Sequence, residues 1–419
     1  MKIKGKLLLV DPGCRHIRMG VLEFHPDGAP ELIYMKSYVA AGMNNGAVSS
    51  RKELAESLRK AYENLRGETG IDQFGEIWVG HSGQHIRSDN VTEESKLRHN
   101  VPVTARLEKQ MLARSEAHIP SDYQLLHSFQ QFSSLDGVRM NSSVGLVGTN
   151  LLARYHLIFS RKAVINNLRA AFKDAGMSID RILFNGYTAS LAVSQNEEIN
   201  LGCLVIHLGH STIDYVVYQE NHPFLTGSIS DGWSRVIKDV AMGVHISTEN
   251  AEKVIMSSGN AHDIDADQDG PLNVTTLFGD PSRLTRRQLA IIMSASIDEI
   301  FSQIRDQLKN SICRGHIPGG VYLTGGGAMT RGITYSAMGI FGVQTRVEYP
   351  ILPWGTREYD PGWAPIIGMV REASEKVSPV RQPDGVLAKI VVGTRDLGKR
   401  MFPGSKDQGD PEGEPEKVE

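Results

Sequence analysis

One stretch of this chain occurs twice. Residues 8–22 read LLVDPGCRHIRMGVL and residues 204–218 read LVIHLGHSTIDYVVY, and the two align without a gap at a constant offset of 196 residues. Each is an apolar β run, a tight polar turn with a glycine at its second step (Gly13, Gly209), and a second β run. Such a pattern makes a hairpin whose turn leaves a nest of backbone N–H groups beside a strand end. Two such hairpins facing each other form a clamp suited to a polyphosphate. The repeat therefore predicts two related α/β halves hinged over one cleft.

The totals allow this. A chain of 419 residues is long enough for two to four domains with proper cores. It is 40% hydrophobic and 22% charged, with a formal net charge of −3, a balance that does not argue for nucleic acid binding, which usually needs a clustered basic face. No run of about 18 apolar residues predicts a transmembrane helix. Lys2, Lys4 and Lys6 precede a short apolar run, but that run meets Asp11 at once, so residues 7–10 read as a first strand of a cytoplasmic protein rather than a signal peptide. Cys14, Cys203 and Cys313 have no metal-like spacing and suggest a reduced compartment.

Along the chain, residues 7–10, 18–24 and 31–38 read as strands, with a turn over 25–30. Ser50 with Glu53 makes a capping box, opening a helix with Leu54, Leu58, Ala61 and Leu65 on one face. Residues 76–79 are a fourth strand. Residues 84–100 are polar and strand-poor. Thr104 caps a helix with Leu107, Met111 and Leu112 inward, and strands over 123–132 and 151–159 flank a glycine- and serine-rich turn at 141–148. This is an inserted α+β subdomain. A helix over 163–172 ends at Gly176 as its C-cap, and residues 181–184 form a strand. After the second hairpin come a strand over 224–229, helices over 233–241 and 250–256, and an acidic loop over 262–272. Thr285 and Gln288 make another capping box before a long helix with apolar side chains at helical spacing from Leu289 to Ile312. A strand over 321–324 runs into Gly325, Gly326 and Gly327, and a late helix covers 365–373. Beyond Phe402 the chain has no periodicity and reads as a disordered acidic tail, 403–419.

Few motifs carry chemistry. Three glycines after a buried strand let the backbone approach a flat ligand such as a purine; alone such a run can be a plain turn. His207 and His210 invite a zinc reading, yet no third ligand stands nearby in sequence. Asp265, Asp267, Asp269 and Gly270 mimic the start of a calcium loop, but Thr276 stands where a bidentate glutamate is required, so a solvated loop is the better reading. Taken alone, Glu252 is surface charge.

Together these pieces resemble the actin and sugar-kinase superfamily, and within it the FtsA family of bacterial cell-division proteins. The likeness runs from about residue 7 to 369. It is strongest at VYLTGGGAMTRG (321–332), similar to the family's adenosine motif, and at NAEKVIMSSGNA (250–261), which looks like its helix with a nucleotide-facing glutamate. SGQHI (82–86), residues 145–154 and residues 360–368 are similar to further landmarks. The resemblance implies an actin-like fold, a ribonuclease H-like duplicated βββαβα body with a 1C-like inserted subdomain. Lobe 1 (1A) would comprise 1–83, 163–200 and 368–400, and the insertion 84–162. Lobe 2 (2A) would comprise 201–240 and 320–367, with subdomain 2B at 241–319.

The resemblance also implies a site. Asp11 would hold Mg²⁺ through water, and Asn185 would help position water. Gly13, Cys14, Arg15, Gly209, His210, Ser211 and Thr212 would grip phosphates, and Glu252 would face the ribose. Gly325, Gly326, Gly327 and Met329 would face the base, the ligand being ATP or ADP. Departures are concentrated at the phosphate end. The family's Asp-x-Gly-Thr-Ser is Asp11-Pro12-Gly13-Cys14-Arg15 here, and its second-hairpin acid is His207, a poor ligand for a hard cation. The family's lysine after the glutamate is Ile255. Arg15 could replace metal charge, since an arginine fork suits phosphate oxygens. The family usually ends in an amphipathic membrane helix, whereas residues 403–419 hold six acids against two lysines, and residues 386–402 are broken by Gly393 and Gly398.

The first reading is thus a divisome adaptor that binds the C-terminal peptide of FtsZ, self-associates, and is recruited to the inner face of the membrane at the septum. Its nucleotide would serve as a wedge between lobes, and its activity would be at most that of a weak ATPase. The alternatives are an active ATPase with unusual ligands, or a pilus- or secretion-type actin-like scaffold.

Overall fold

Strand Lys6–Pro12 is buried along nearly its whole length because it lies at the centre of a sheet. On one side it pairs antiparallel with His16–Phe24, the other arm of the first hairpin, and beyond that lies Pro30–Val39. On the other it pairs parallel with Glu76–His81, followed by Arg181–Phe184. The second hairpin builds the same sheet again. Leu204–Leu208 is central, antiparallel to Ile213–Gln219 and then His222–Ile229, and parallel to Val321–Thr324 and then Thr345–Val347. The repeat seen in the sequence is thus a repeat of topology. The structure, a computed structural model, describes residues 5–25, 28–98, 100–194, 196–262, 269–309 and 317–377, which lie within one compact unit. Cys313, Ile312, most of the acidic loop, the segment 386–402 and the tail 403–419 lie outside the described residues.

Two buried helices lie between the sheets. Asn185–Val193 is buried on nearly all sides, which fits its run of small and apolar residues, and it packs against Ala364–Val377. Leu7, Trp78 and Phe184 from the first half meet Val205, Val216 and Tyr322 from the second in one core around these helices. Helix Arg51–Thr69 starts at the expected residue, with Ser50 Oγ accepting the Glu53 N–H, but the Ser50 N–H donates to Gly42 O at 3.2 Å and not to Glu53, so half of the expected box forms; the helix buries Leu54, Leu58, Ala61 and Leu65. Helix Arg286–Lys309 shows the second capping box reciprocally: Thr285 Oγ1 accepts the Gln288 N–H at 3.3 Å and Gln288 Oε1 accepts the Thr285 N–H at 3.0 Å. Helix Lys162–Asp174 is capped by Ala175, with Gly176 one residue later at φ +83.

The inserted subdomain is a four-stranded antiparallel sheet in the order Ile86–Lys96, Asn150–Arg161, Tyr123–Leu135, Val138–Met140, with helix Ala105–Glu116 packed on it. The strand Ile86–Lys96 corrects the expectation that residues 84–100 are strand-poor. It pairs residue for residue with Asn150–Arg161. It is an edge strand, its acids mostly at the more exposed positions, so backbone pairing rather than apolar content defines it.

This sheet also reaches the second half. Ser88 Oγ donates to Thr226 O at 2.8 Å, Asn90 Nδ2 to Phe224 O at 2.8 Å, and Gln131 Nε2 to Pro223 O at 2.9 Å. Buried histidines sit beside these bonds. His156 lies between Asn90 Oδ1 and Thr226 Oγ1, and His127 Nε2 accepts the Phe184 N–H at 2.9 Å. Burial pushes His156 down to about 3, and His127 and His85 to about 4, from the ordinary 6.5. Their folded-state values lie below the unfolded one, so the unfolded chain takes up protons first as pH falls. Stability is therefore full above about pH 6.5 and is lost below it, by about 1.4 kcal/mol per pH unit for each histidine that stays neutral. Urea midpoints should fall between pH 7 and pH 5, less steeply in His156→Gln. A flat midpoint over that range would contradict the burial.

Candidate functional site

The two hairpin turns close by the same bond. Gly13 N–H donates to His16 O at 3.0 Å, and Gly209 N–H donates to Thr212 O at 3.0 Å. A Cβ would stand 2.9 Å from His16 O at Gly13 and 2.7 Å from Thr212 O at Gly209, so each turn requires its glycine. The turns face one cavity of about 480 Å³.

Its lining brings together Asp11, Gly13, Cys14, Arg15 and Asn185 from the first half, and Gly209, His210, Ser211 and Thr212 from the second. Glu252 reaches it from helix Thr248–Ser258, and Gly326, Gly327 and Met329 from the short helix after strand Val321–Thr324. Gly325 is not among the lining residues. Its φ of +88 turns the chain, and a Cβ there would meet Leu208 O at 2.6 Å, so it fits the glycine end against the second hairpin. Sequence reasoning missed the apolar wall. Trp233, Ile237 and Met256 line the cavity, and a Cβ on Gly327 would stand 2.9 Å from Trp233 Cε3. Trp233, the first residue of its helix, was the available signal.

The hairpins carry two cross-strand acid–base pairs of reversed polarity at the cavity; Asp11, Arg18 and His207 line it and Asp214 does not. In the first hairpin Asp11 pairs in register with Arg18, and their charged atoms are 3.8 Å apart. At the equivalent positions of the second, His207 pairs with Asp214, at 3.7 Å. The first is acid then base along the chain, the second base then acid. Asn185 Nδ2 donates to Asp11 Oδ1 at 2.9 Å, and Ser82 Oγ donates to Asp214 Oδ2 at 2.6 Å. Asn185 Oδ1, His207 Nδ1 and Asp214 Oδ1 are buried and have no hydrogen-bond partner.

Across the mouth, Arg15 of the first turn forms an ion pair with Glu252 of the opposite half. His210 is held below its ordinary value by burial, then by the charge of Arg15; His16 is held down by burial, then by Arg18 and Arg15. Among the described residues no group of three or more His, Cys, Asp and Glu is placed to hold a metal ion. Asp269, from the calcium-like stretch, accepts the Gly270 and Arg287 N–H groups at the start of a helix.

Residues 204–368 match the family model for cell division protein FtsA. A curated cell division protein FtsA from Borreliella burgdorferi is 25% identical over 370 residues, covering 86% of this chain and 89% of that one. The chain is thus similar along most of its length to FtsA cell-division proteins. Solved structures show the fold. The PilM-PilN type IV pilus biogenesis complex superimposes with a TM-score of 0.61 at 15% identity, covering 90% of this chain and all of that one. MreB5 of Spiroplasma citri bound to ADP gives 0.55 at 13% identity, with 89% and 98% covered. The FtsA-like chain thus carries the actin-like architecture that the resemblance implied. Among its described residues no helix is long and apolar enough to cross a membrane.

Proposed function

We propose that this FtsA-like chain is a cell-division adaptor that binds ATP or ADP in its cleft and hydrolyses it slowly or not at all. One observation carries the reading: both hairpin turns, Glu252 and the end of the glycine run line a single cavity of about 480 Å³, within the range of small-molecule sites. The apolar wall of Trp233, Ile237 and Met256 supplies a seat for a base, and the turns supply donors for phosphates. Slow chemistry follows from the floor. In-line attack on a phosphoryl group needs a group that positions water and charge that stabilises the transition state. The Asn185 amide is no base, and it already donates to Asp11.

On this reading nucleotide binds across the hinge and holds the lobes together by mass action, stabilising the chain by about 2.7 kcal/mol at a hundredfold excess over Kd. The body so held engages the C-terminal peptide of FtsZ, associates with further copies of itself, and is recruited to the inner face of the membrane at the division site. The lobe and subdomain boundaries given above belong to this proposal. The test is retention of FtsZ on the immobilised chain, with ATP and without. Retention that depends on the FtsZ C-terminal peptide is the expected result; no retention in either state overturns the adaptor reading. Phosphate release well above background that Asp11→Ala abolishes would instead make the chain an active ATPase.

A further inference from the structure

We propose that the cleft takes the polyphosphate of its nucleotide as an anion free of divalent cation, with the Arg15 guanidinium in the cation's place. This rests on the nucleotide reading above and specifies how the site meets its ligand's charge.

The donor set does not suit Mg²⁺, which wants oxygens in near-octahedral array. Both Asp11 oxygens are already engaged, one by the Asn185 amide at 2.9 Å and the other facing Arg18 at 3.8 Å. The matching position of the second hairpin offers His207, a nitrogen ligand. Asp214 is fully buried, is tied to Ser82, and does not line the cavity. Each hairpin acid thus has its own cross-strand base. Glu252 does reach the cavity, but it is engaged with Arg15.

Arg15 is placed to exchange partners. It stands at the boundary between the cavity and a second, more open one of about 500 Å³, and Cys14, Arg15, His210 and Glu252 line both. The Arg15–Glu252 pair therefore divides the cleft. Both side chains are partly exposed, so the pair is held weakly. A polyphosphate offers the guanidinium a bidentate oxygen partner of higher charge. When Arg15 moves to it, Glu252 is left free to accept hydrogen bonds from ribose hydroxyls. No bond is made or broken.

The experiment is a titration of the full chain with ATP in EDTA and again in Mg²⁺, repeated with Arg15→Ala and Arg15→Lys. The expected result is binding in EDTA within about threefold of that in Mg²⁺. Arg15→Ala should weaken binding in EDTA by roughly tenfold or more, with partial recovery in Arg15→Lys. Asp11→Asn should tighten binding in EDTA, because a negative charge leaves the phosphate end. Binding only in Mg²⁺ overturns the inference and leaves the nucleotide reading standing. So does binding in EDTA that is indifferent to Arg15→Ala. No binding in either medium overturns both.

Discussion

Gly368→Ala is expected to lose about 3 kcal/mol or more of folding stability, a large effect for one methyl group. Gly368 lies on helix Ala364–Val377 where it crosses helix Asn185–Val193, and a Cβ there would stand 1.6 Å from Thr188 O and 2.3 Å from Thr188 C. The obstacle is backbone, so no side-chain rotation relieves it. One of the two helices must move, and helix Asn185–Val193 begins with Asn185, whose amide holds Asp11 at the floor of the cleft. The substitution should therefore weaken nucleotide binding as well as the fold. Gly339→Ala is the control. It lies in helix Ile333–Phe341 with nothing within 4 Å of its Cβ, and it should gain roughly 0.5–1 kcal/mol. Urea unfolding of both variants separates close approach from helix propensity. A Gly368→Ala chain within about 1 kcal/mol of the parent would mean the helices do not cross there.

Gly326→Phe should remove nucleotide binding, by on the order of a hundredfold, while leaving the unfolding midpoint near that of the parent. Gly326 lines the cavity, and a Cβ there meets nothing within 4 Å. A phenyl ring would enter the space assigned to the base. Gly327 is the contrast, because a Cβ there would press on Trp233 and Leu208 and disturb packing first. Nucleotide affinity read beside the unfolding midpoint distinguishes the two positions. Undiminished binding in a folded Gly326→Phe chain would place the base elsewhere.

The repeated hairpin was legible in sequence because its alternation of apolar runs and glycine turns is local and occurs twice. From it came the central strands of both sheets and the residues at both turns. The N-cap at Ser50 and the capping box at Thr285 were legible for the same reason. Strand Ile86–Lys96 was not. Its side chains are mostly polar, and only the facing strand Asn150–Arg161 reveals its role. The apolar wall was hidden differently. Trp233 and Met256 sit on separate helices and meet only in the fold. The reversed polarity of the hairpin pairs needed the strand register as well. Asp11 and His207 could be aligned from the repeat, but their partners Arg18 and Asp214 acquire meaning only when they are seen across the ladder.

The central claim is that two related halves grip one nucleotide between their turns. Hydrogen exchange of the full chain, with and without saturating ATP, tests it most directly. Protection should appear together at residues 11–16, 209–212 and 325–329, segments remote in sequence that line or flank one cavity. Protection confined to one half, or absent from both turns, would contradict the account.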